Sequence, residues 1–392
     1  MSPESGQQSG SSEAVPTAAG GVAADIRHSR GLPSRWYVEA ELGLLEHERL
    51  FARAWCAIGV ASDIAAPGAI LPVELNGMPL IAVRDEAGAV GVFHNVCSHR
   101  GMKLVGEPCR VQGLLRCPYH SWSYSLDGRL RATPSIGGPG VNRADGFDKG
   151  LHGLKPVRSA VWFDQIFVNI DGKAPTFEEF IRPLAERWRA FDPAAFRHGA
   201  SDSYLRFELA CNWKLAVENF CEAYHLPWVH PGLNSYSRLE DHESLVELDK
   251  FSGQVSRVYN PILAEDGSGL PSHPGLSDYW QHGAEYVSLF PNLLLGIHRD
   301  HFFAIRLEPQ GPARTVEHLH FYYLGEGAGS ERFAALRAAN ARIWRQVFIE
   351  DVGVVEGMQR GRASPAFDGG LFSPVMDGAN HCFHLWAAKR LA

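Results

Sequence analysis

Cys97-Ser98-His99 and Cys117-Pro118-Tyr119-His120 carry the strongest chemical signal in the chain. Seventeen residues separate the C-x-H pair from the C-x-x-H pair. Two thiolates and two imidazoles brought to the tips of two loops can hold one Zn²⁺ tetrahedrally. They can also hold a two-iron, two-sulfur cluster, with the cysteines on one iron and the histidines on the other. Zinc sites mostly pair like with like, as C-x₂₋₄-C and H-x₃₋₅-H. Here each loop offers one cysteine and one histidine, which favours the cluster. Neutral histidine ligands raise a cluster's potential to roughly −150 to +300 mV, which suits an electron relay. Cys109 lies between the two loops and reads as a structural or free thiol rather than a ligand.

A second constellation lies in NWKLAVENFCEAYHLPWVH, residues 212–230. At about 100° per residue, Glu218, Asn219, Glu222 and His225 share one helix face, set among Leu215, Val217 and Phe220. A solvated face would explain four polar residues. It explains less well the Leu226-Pro227 that follows, because Pro227 disfavours helix at Leu226 and predicts an end there. On one continuous helix His225 and His230 would point about 140° apart. The break lets both converge on one ion. Further along, Trp344, Val347, Phe348, Asp351, Val355 and Met358 recur at helical spacing, so Asp351 falls in an apolar stripe. A carboxylate there is costly unless paired or metal-bound. A buried ion pair is one reading. The other is two histidines and a carboxylate facing one side of a non-haem Fe(II), which leaves positions open for O₂. Glu350 points off the stripe, toward solvent.

The elements that must position these residues fall into an α+β arrangement. Residues 1–28 are polar and rich in small residues, and read as a disordered tail. Residues 29–56 contain an amphipathic helix, Trp36 to Trp55, with Leu42, Leu45, Leu50 and Phe51 apolar, expected to pack on the C-terminal unit. Residues 57–171 alternate short apolar runs with turn residues, and Asn76-Gly77 and Asp127-Gly128 mark hairpins of an all-β unit. Thr176 with Glu179 three positions later signals a helix start. Residues 172–392 mix strands with helices and read as an α+β unit, an antiparallel sheet flanked by helices.

Bulk properties narrow the function. The chain has 392 residues, 45% hydrophobic and 21% charged, with a formal net charge of −7. That argues against nucleic acid as the main partner, because phosphate binding needs concentrated Lys and Arg. No apolar run is long enough to cross a membrane and no secretory signal is evident, so neither membrane nor export is expected. Seven scattered cysteines do not form a disulfide framework, and the expected home is the reducing cytoplasm. GEGAGS at 325–330 opens no dinucleotide-binding unit, and no second cluster motif occurs, so NAD(P)H must be oxidised elsewhere.

NVCSHRGMKLV and LLRCPYHSWSYSLDGRL resemble the Rieske cluster signature of ring-hydroxylating oxygenases. The likeness includes Arg100-Gly101 after the first histidine and Trp122, Tyr124 and Asp127-Gly128 after the second. Ser121 stands where the family usually has glycine. NWKLAVENFCEAYH with His230 resembles the family's mononuclear-iron motif, and EDVGVVEGMQRG its carboxylate-bearing helix. The resemblance runs from about Trp36 to Trp386.

It implies a terminal oxygenase (alpha) subunit that holds a [2Fe-2S] cluster on Cys97, His99, Cys117 and His120. It implies a mononuclear Fe(II) on His225, His230 and Asp351. A separate NAD(P)H reductase, with or without a ferredoxin, would supply electrons for O₂ chemistry on a small organic substrate. It further implies a head-to-tail homotrimer in which Glu222, at a position usually Asp, bridges a cluster histidine of one subunit to an iron histidine of the next. Glu at that place occurs in relatives that oxidise carnitine or glycine betaine, and leans the substrate toward a quaternary ammonium compound that is hydroxylated or demethylated. Mono- or dioxygenation of an aromatic ring is the alternative, and a zinc-stabilised, non-catalytic binding module the rival of another class. Trp228, Tyr286 and Phe290 are the aromatic candidates for the pocket, and the sequence does not show which of them face the iron.

Overall fold

The computed structural model describes residues 21–199 and 203–392. Most of the expected disordered tail, residues 1–20, lies outside them. Residues 21–28 are not free of structure: Ile26–His28 form a 3-10 turn, and the Ala23 carbonyl accepts a hydrogen bond from His381 Nε2 at 2.7 Å.

The all-β unit forms where its turns allow. Ala69–Leu75 and Met78–Arg84 pair as a hairpin through Asn76 (φ 47°) and Gly77 (φ 85°). Two successive positive φ values give the tight turn that matches strand twist, and Asn-Gly tolerates them. This hairpin lies in a seven-stranded antiparallel sheet that runs from Cys56–Val60 at one edge to Cys109–Arg110 at the other. Leu114–Arg116, Ser123–Ser125 and Leu130–Ala132 form a small second sheet, turned at Asp127-Gly128. Cys97, Cys117, Trp122 and Tyr124 share a small core between the two sheets with Ile70, Ile81 and Phe93.

The C-terminal unit is built on an eight-stranded antiparallel sheet spanning Phe196 to Leu324. The helix Trp213–Cys221 lies on it, against the strands Phe251–Ser256, Ala284–Leu289 and His301–Pro309. The long helix Ala334–Arg362 and the last helix, Gly378–Leu391, flank it. Aromatic groups including Trp188, Phe163, Phe196 and Phe302 cover the sheet's other face.

The amphipathic helix expected from Trp36 to Trp55 is broken. It forms as Arg35–Val38, Ala40–Glu46 and a wide turn His47–Phe51, with Glu39 extended between the first two. Trp36, Tyr37, Leu42, Leu50 and Phe51 are buried as the pattern requires. The break has a polar cause. Tyr37 hydrogen-bonds Glu218, while Glu46 pairs with buried Lys214 and accepts from Trp213 Nε1 at 2.9 Å. One straight helix would not serve both contacts.

Candidate metal centres

Two loops of the β unit have the same build. Cys97 N donates to Met102 O and Gly101 N to Cys97 O, at 2.8 and 3.0 Å. Cys117 N donates to Trp122 O and Ser121 N to Cys117 O at the same distances. Each loop turns back through a residue of positive φ, Gly101 (71°) in one and Ser121 (59°) in the other. Asn95 fastens the first loop: its Oδ1 accepts from Leu104 N and Val105 N at 3.0 Å, and its Nδ2 donates to Val105 O at 2.7 Å.

The cysteines are buried and the histidines face outward. Cys97 and Cys117 lie in the core, with their thiols in contact, and burial pushes the Cys97 thiol up. His99 is exposed and His120 half-buried, and their rings lie 4.7 Å apart. Trp122 stacks on His99 at 4.6 Å. A single Zn²⁺, at about 2.3 Å from sulfur and 2.0 Å from nitrogen, would draw all four ligand atoms within about 4 Å of one another. Among the described residues, the one group of three or more such atoms lying within 4.8 Å of each other is elsewhere, at His225, His230 and Asp351. A thiol end in the core and an imidazole end at the surface fit a group with two metal positions. Tyr124 supports the thiol end, its hydroxyl 3.1 Å from Cys97 Sγ and accepting from Ser98 N at 3.1 Å. Burial pushes this phenol up to about 12, so it keeps a proton that it can donate to a deprotonated ligand sulfur. Cys109 is a free, exposed thiol in the edge strand, away from the ligand loops.

The triad is assembled across the C-terminal unit. Asn212 caps the helix Trp213–Cys221. That helix ends sooner than its periodicity implies, because Glu222 is extended (φ −125°, ψ 156°). The expected face of Glu218, Asn219, Glu222 and His225 therefore does not exist as one stripe. Glu218 turns into the core, where Arg362 Nη2 and His384 Nε2 lie 3.1 and 3.3 Å from its carboxylate. Pro227 does not end a helix but opens one, Leu226–Val229, since its missing N–H costs nothing in a first turn. His225 precedes that turn and His230 follows it, with Pro231 opening the next.

His230 Nε2 lies 3.0 Å and His225 Nε2 3.7 Å from Asp351 Oδ1. Asn219 Nδ2 donates to the same oxygen at 3.1 Å. The far ring nitrogens are held by carboxylates: Glu222 Oε1 is 2.5 Å from His225 Nδ1, and Glu350 Oε2 is 2.8 Å from His230 Nδ1. Glu222 is tied to its own loop through Tyr224 N. Glu350 was expected in solvent. It leans instead from the shoulder of the helix onto His230, a partner 120 residues away in sequence. Burial would lower the pKa of His230, but Asp351 and Glu350 outweigh it and raise it. The same field attracts a divalent cation. Carboxylates behind both imidazoles fix the tautomer that offers Nε2 to a metal. The donor set, two nitrogens and one carboxylate oxygen on one side, fits iron with open positions.

A small cavity of about 50 Å³ adjoins the triad. Phe220, Tyr286, Trp344 and Phe348 supply its aromatic wall, with His242 and Gln254 as polar members. Of the three aromatic candidates, Tyr286 alone lines it. Trp228 is 71% exposed beside Tyr224, and Phe290 packs in the core on Phe383 and Trp386. Trp344 and Phe348 were legible only as an apolar stripe. His242 and Gln254 gave no signal, since each owes its place to strand pairing.

Paired thiols and imidazoles on a β unit, followed by a two-histidine, one-carboxylate centre on a helix-flanked antiparallel sheet, define a protein of two iron centres. The chain belongs to the ring hydroxylating alpha subunit family, whose catalytic-domain model matches residues 194–392. A Rieske [2Fe-2S] domain model matches residues 54–143. Together the matches imply a [2Fe-2S] cluster and a mononuclear iron.

The chain is 33% identical over 211 residues to the glycine betaine monooxygenase oxygenase subunit of Chromohalobacter salexigens, over 54% of this chain and 45% of that one. The match thus spans less than half of that relative. It is 28% identical over 367 residues to the chloroplastic choline monooxygenase of Arabidopsis thaliana, over 90% of this chain and 81% of that one. A crystal structure of a quaternary ammonium Rieske monooxygenase superposes with a TM-score of 0.77 at 20% identity, covering 94% of this chain and 96% of that one. At that identity the likeness shows the fold alone. No helix among the described residues is long and apolar enough to cross a membrane.

Proposed function

We propose that the chain is the terminal oxygenase of a multicomponent system, inserting oxygen from O₂ into a small quaternary ammonium compound. Residues 57–171 form the cluster-bearing unit and residues 172–392 the iron-bearing one. Cys97, His99, Cys117 and His120 hold the cluster, and His225, His230 and Asp351 hold the iron. When bound, these groups supply one-electron storage and O₂ activation, respectively. For hydroxylation, one oxygen atom enters the substrate and the other leaves as water, with two electrons and two protons consumed. A separate reductase delivers the electrons. Hydroxylation of a methyl on nitrogen leads to its loss as an aldehyde.

The chain's own residues set the conditions. Glu222 and Glu350 keep His225 and His230 in the metal-binding tautomer, and Asn219 steadies the Asp351 oxygen nearest both. The aromatic wall offers its rings to a cation. His99 and His120 bring the cluster's imidazole end to the surface, within reach of a neighbouring subunit. A head-to-tail trimer places that end against Glu222 of the next chain.

One observation carries the reading: two carboxylate-backed histidines and Asp351 open onto an aromatic cavity. The test is substrate-dependent O₂ uptake with a surrogate reductase across ammonium and aromatic compounds. Uptake coupled to aldehyde release from a methylated ammonium supports it. Uptake with arenes alone refutes the substrate class, and zinc without a brown chromophore refutes the enzyme. Light scattering tests the trimer.

A further inference from the structure

The cavity beside the triad has aromatic walls, and the polar groups in those walls are already engaged. Gln254 Nε2 donates to the carbonyls of Phe220 and Glu222 at 3.3 and 3.1 Å, which fixes the amide's orientation. Gln254 Oε1 then accepts from His242 Nδ1 at 2.7 Å. The other nitrogen of His242 lies 3.0 Å from Ser237 Oγ. Trp344 Nε1 donates to His301 Nε2 at 2.9 Å, and the Tyr286 hydroxyl pairs with buried His298 at 3.3 Å. Burial holds His242 below its usual range and His298 well below it, so both are neutral.

No Lys or Arg stands among the described lining residues. Carboxylates surround the centre instead: Asp351 in the wall, Glu222 and Glu350 behind the histidines. One carboxylate on a divalent ion and two behind its histidines outnumber the ion's charge, so the site attracts cations and repels anions. A ligand carboxylate would enter without a guanidinium or an ammonium to receive it, and such a buried charge is strongly disfavoured.

We infer that this cavity takes a small organic cation whose other end is uncharged, an ammonium alcohol rather than an ammonium carboxylate. The inference rests on the quaternary ammonium reading above and narrows it. The onium group lies against Trp344, Tyr286 and Phe348, whose aromatic rings attract it. The neutral end needs no counter-charge.

Calorimetric titration of the iron-loaded full chain under anaerobic conditions tests this with three probes. Choline carries the cation and a neutral end, glycine betaine the cation and a carboxylate, and 3,3-dimethylbutan-1-ol the shape of choline without its charge. Choline is expected to bind at least about tenfold tighter than either of the others. Glycine betaine binding as tightly as choline overturns the inference and leaves the ammonium reading standing. The uncharged alcohol binding as tightly as choline overturns the ammonium reading, and the inference with it. If neither choline nor glycine betaine binds, both fall.

Discussion

Glu350 Oε2 lies 2.8 Å from Nδ1 of His230, while the adjacent Asp351 reaches the same ring's Nε2 at 3.0 Å. Consecutive residues of one helix thus grip both nitrogens of one imidazole, one as its orienting partner and one as its neighbour in the metal set. Removing the orienting carboxylate should loosen the metal without touching the cluster. Glu350→Ala is expected to weaken mononuclear iron binding about 10–100-fold. Iron content after dialysis against a graded chelator checks it, and the visible cluster spectrum should be unchanged. Full iron retention at every chelator strength would show that Glu350 is only a surface carboxylate.

Glu222 stands 2.5 Å from His225 Nδ1 and is proposed to meet a cluster histidine of the neighbouring subunit. Glu222→Gln keeps size and one acceptor, so both metal sites should stay filled. Electron transfer should slow strongly, because the charged acceptor for two imidazole N–H groups is gone. Stopped-flow bleaching of the reduced cluster by O₂ and substrate reads this. Wild-type rates would refute the bridge.

Tyr124 places its hydroxyl 3.1 Å from Cys97 Sγ. A hydrogen bond to a ligand sulfur stabilises the more negative, reduced cluster. Tyr124→Phe should therefore lower the midpoint potential, as measured by spectroelectrochemical titration, with the cluster retained. An unchanged potential would mean the hydroxyl serves only Ser98.

Ser121 occupies a left-handed position, φ 59°, in a loop whose twin uses Gly101 at φ 71°. A non-glycine residue there carries strain of about 1 kcal/mol. Ser121→Gly should stabilise the β unit by up to about that amount, offset in part by the greater freedom of glycine in the unfolded chain. Urea titration followed through cluster loss measures it. A clear destabilisation would show that the serine side chain is needed where it stands.

Glu317 is buried near Asp351, and burial first, then the Asp351 charge, raises its pKa from 4.5 to about 8. The folded state therefore holds this proton more tightly than the unfolded chain does. Its contribution is fully present below pH 4.5 and is lost as pH rises through about 8. The slope in that window is about 1.4 kcal/mol per pH unit for one proton. Glu317→Gln should flatten stability across the window, as read from urea midpoints against pH. Iron on Asp351 weakens only the smaller cause, so most of the effect should persist in loaded protein. Parallel pH profiles for the two proteins would refute it.

The sequence by itself determined the two chemistries and the local turns that serve them. Cys97, His99, Cys117 and His120 lie within two short loops, so spacing alone could announce them. Asn76-Gly77 announced its hairpin for the same reason: adjacent residues decide a turn. His225, His230 and Asp351 could be singled out because proline breaks and a carboxylate in an apolar stripe are local anomalies. The tertiary structure alone decided which neighbours serve them. The helix Trp213–Cys221 stops before Glu222, and Glu218 is drawn away to Arg362 and His384, contacts that periodicity cannot foresee. Glu350 reads as solvated until the chain brings His230 beside it. The cavity wall joins Phe220 to Tyr286 and Trp344, residues on two helices and a strand. Spacing along a chain reports forces that act within a turn or two. Partnerships made across the sheet depend on where whole elements pack, and only the packed fold states them.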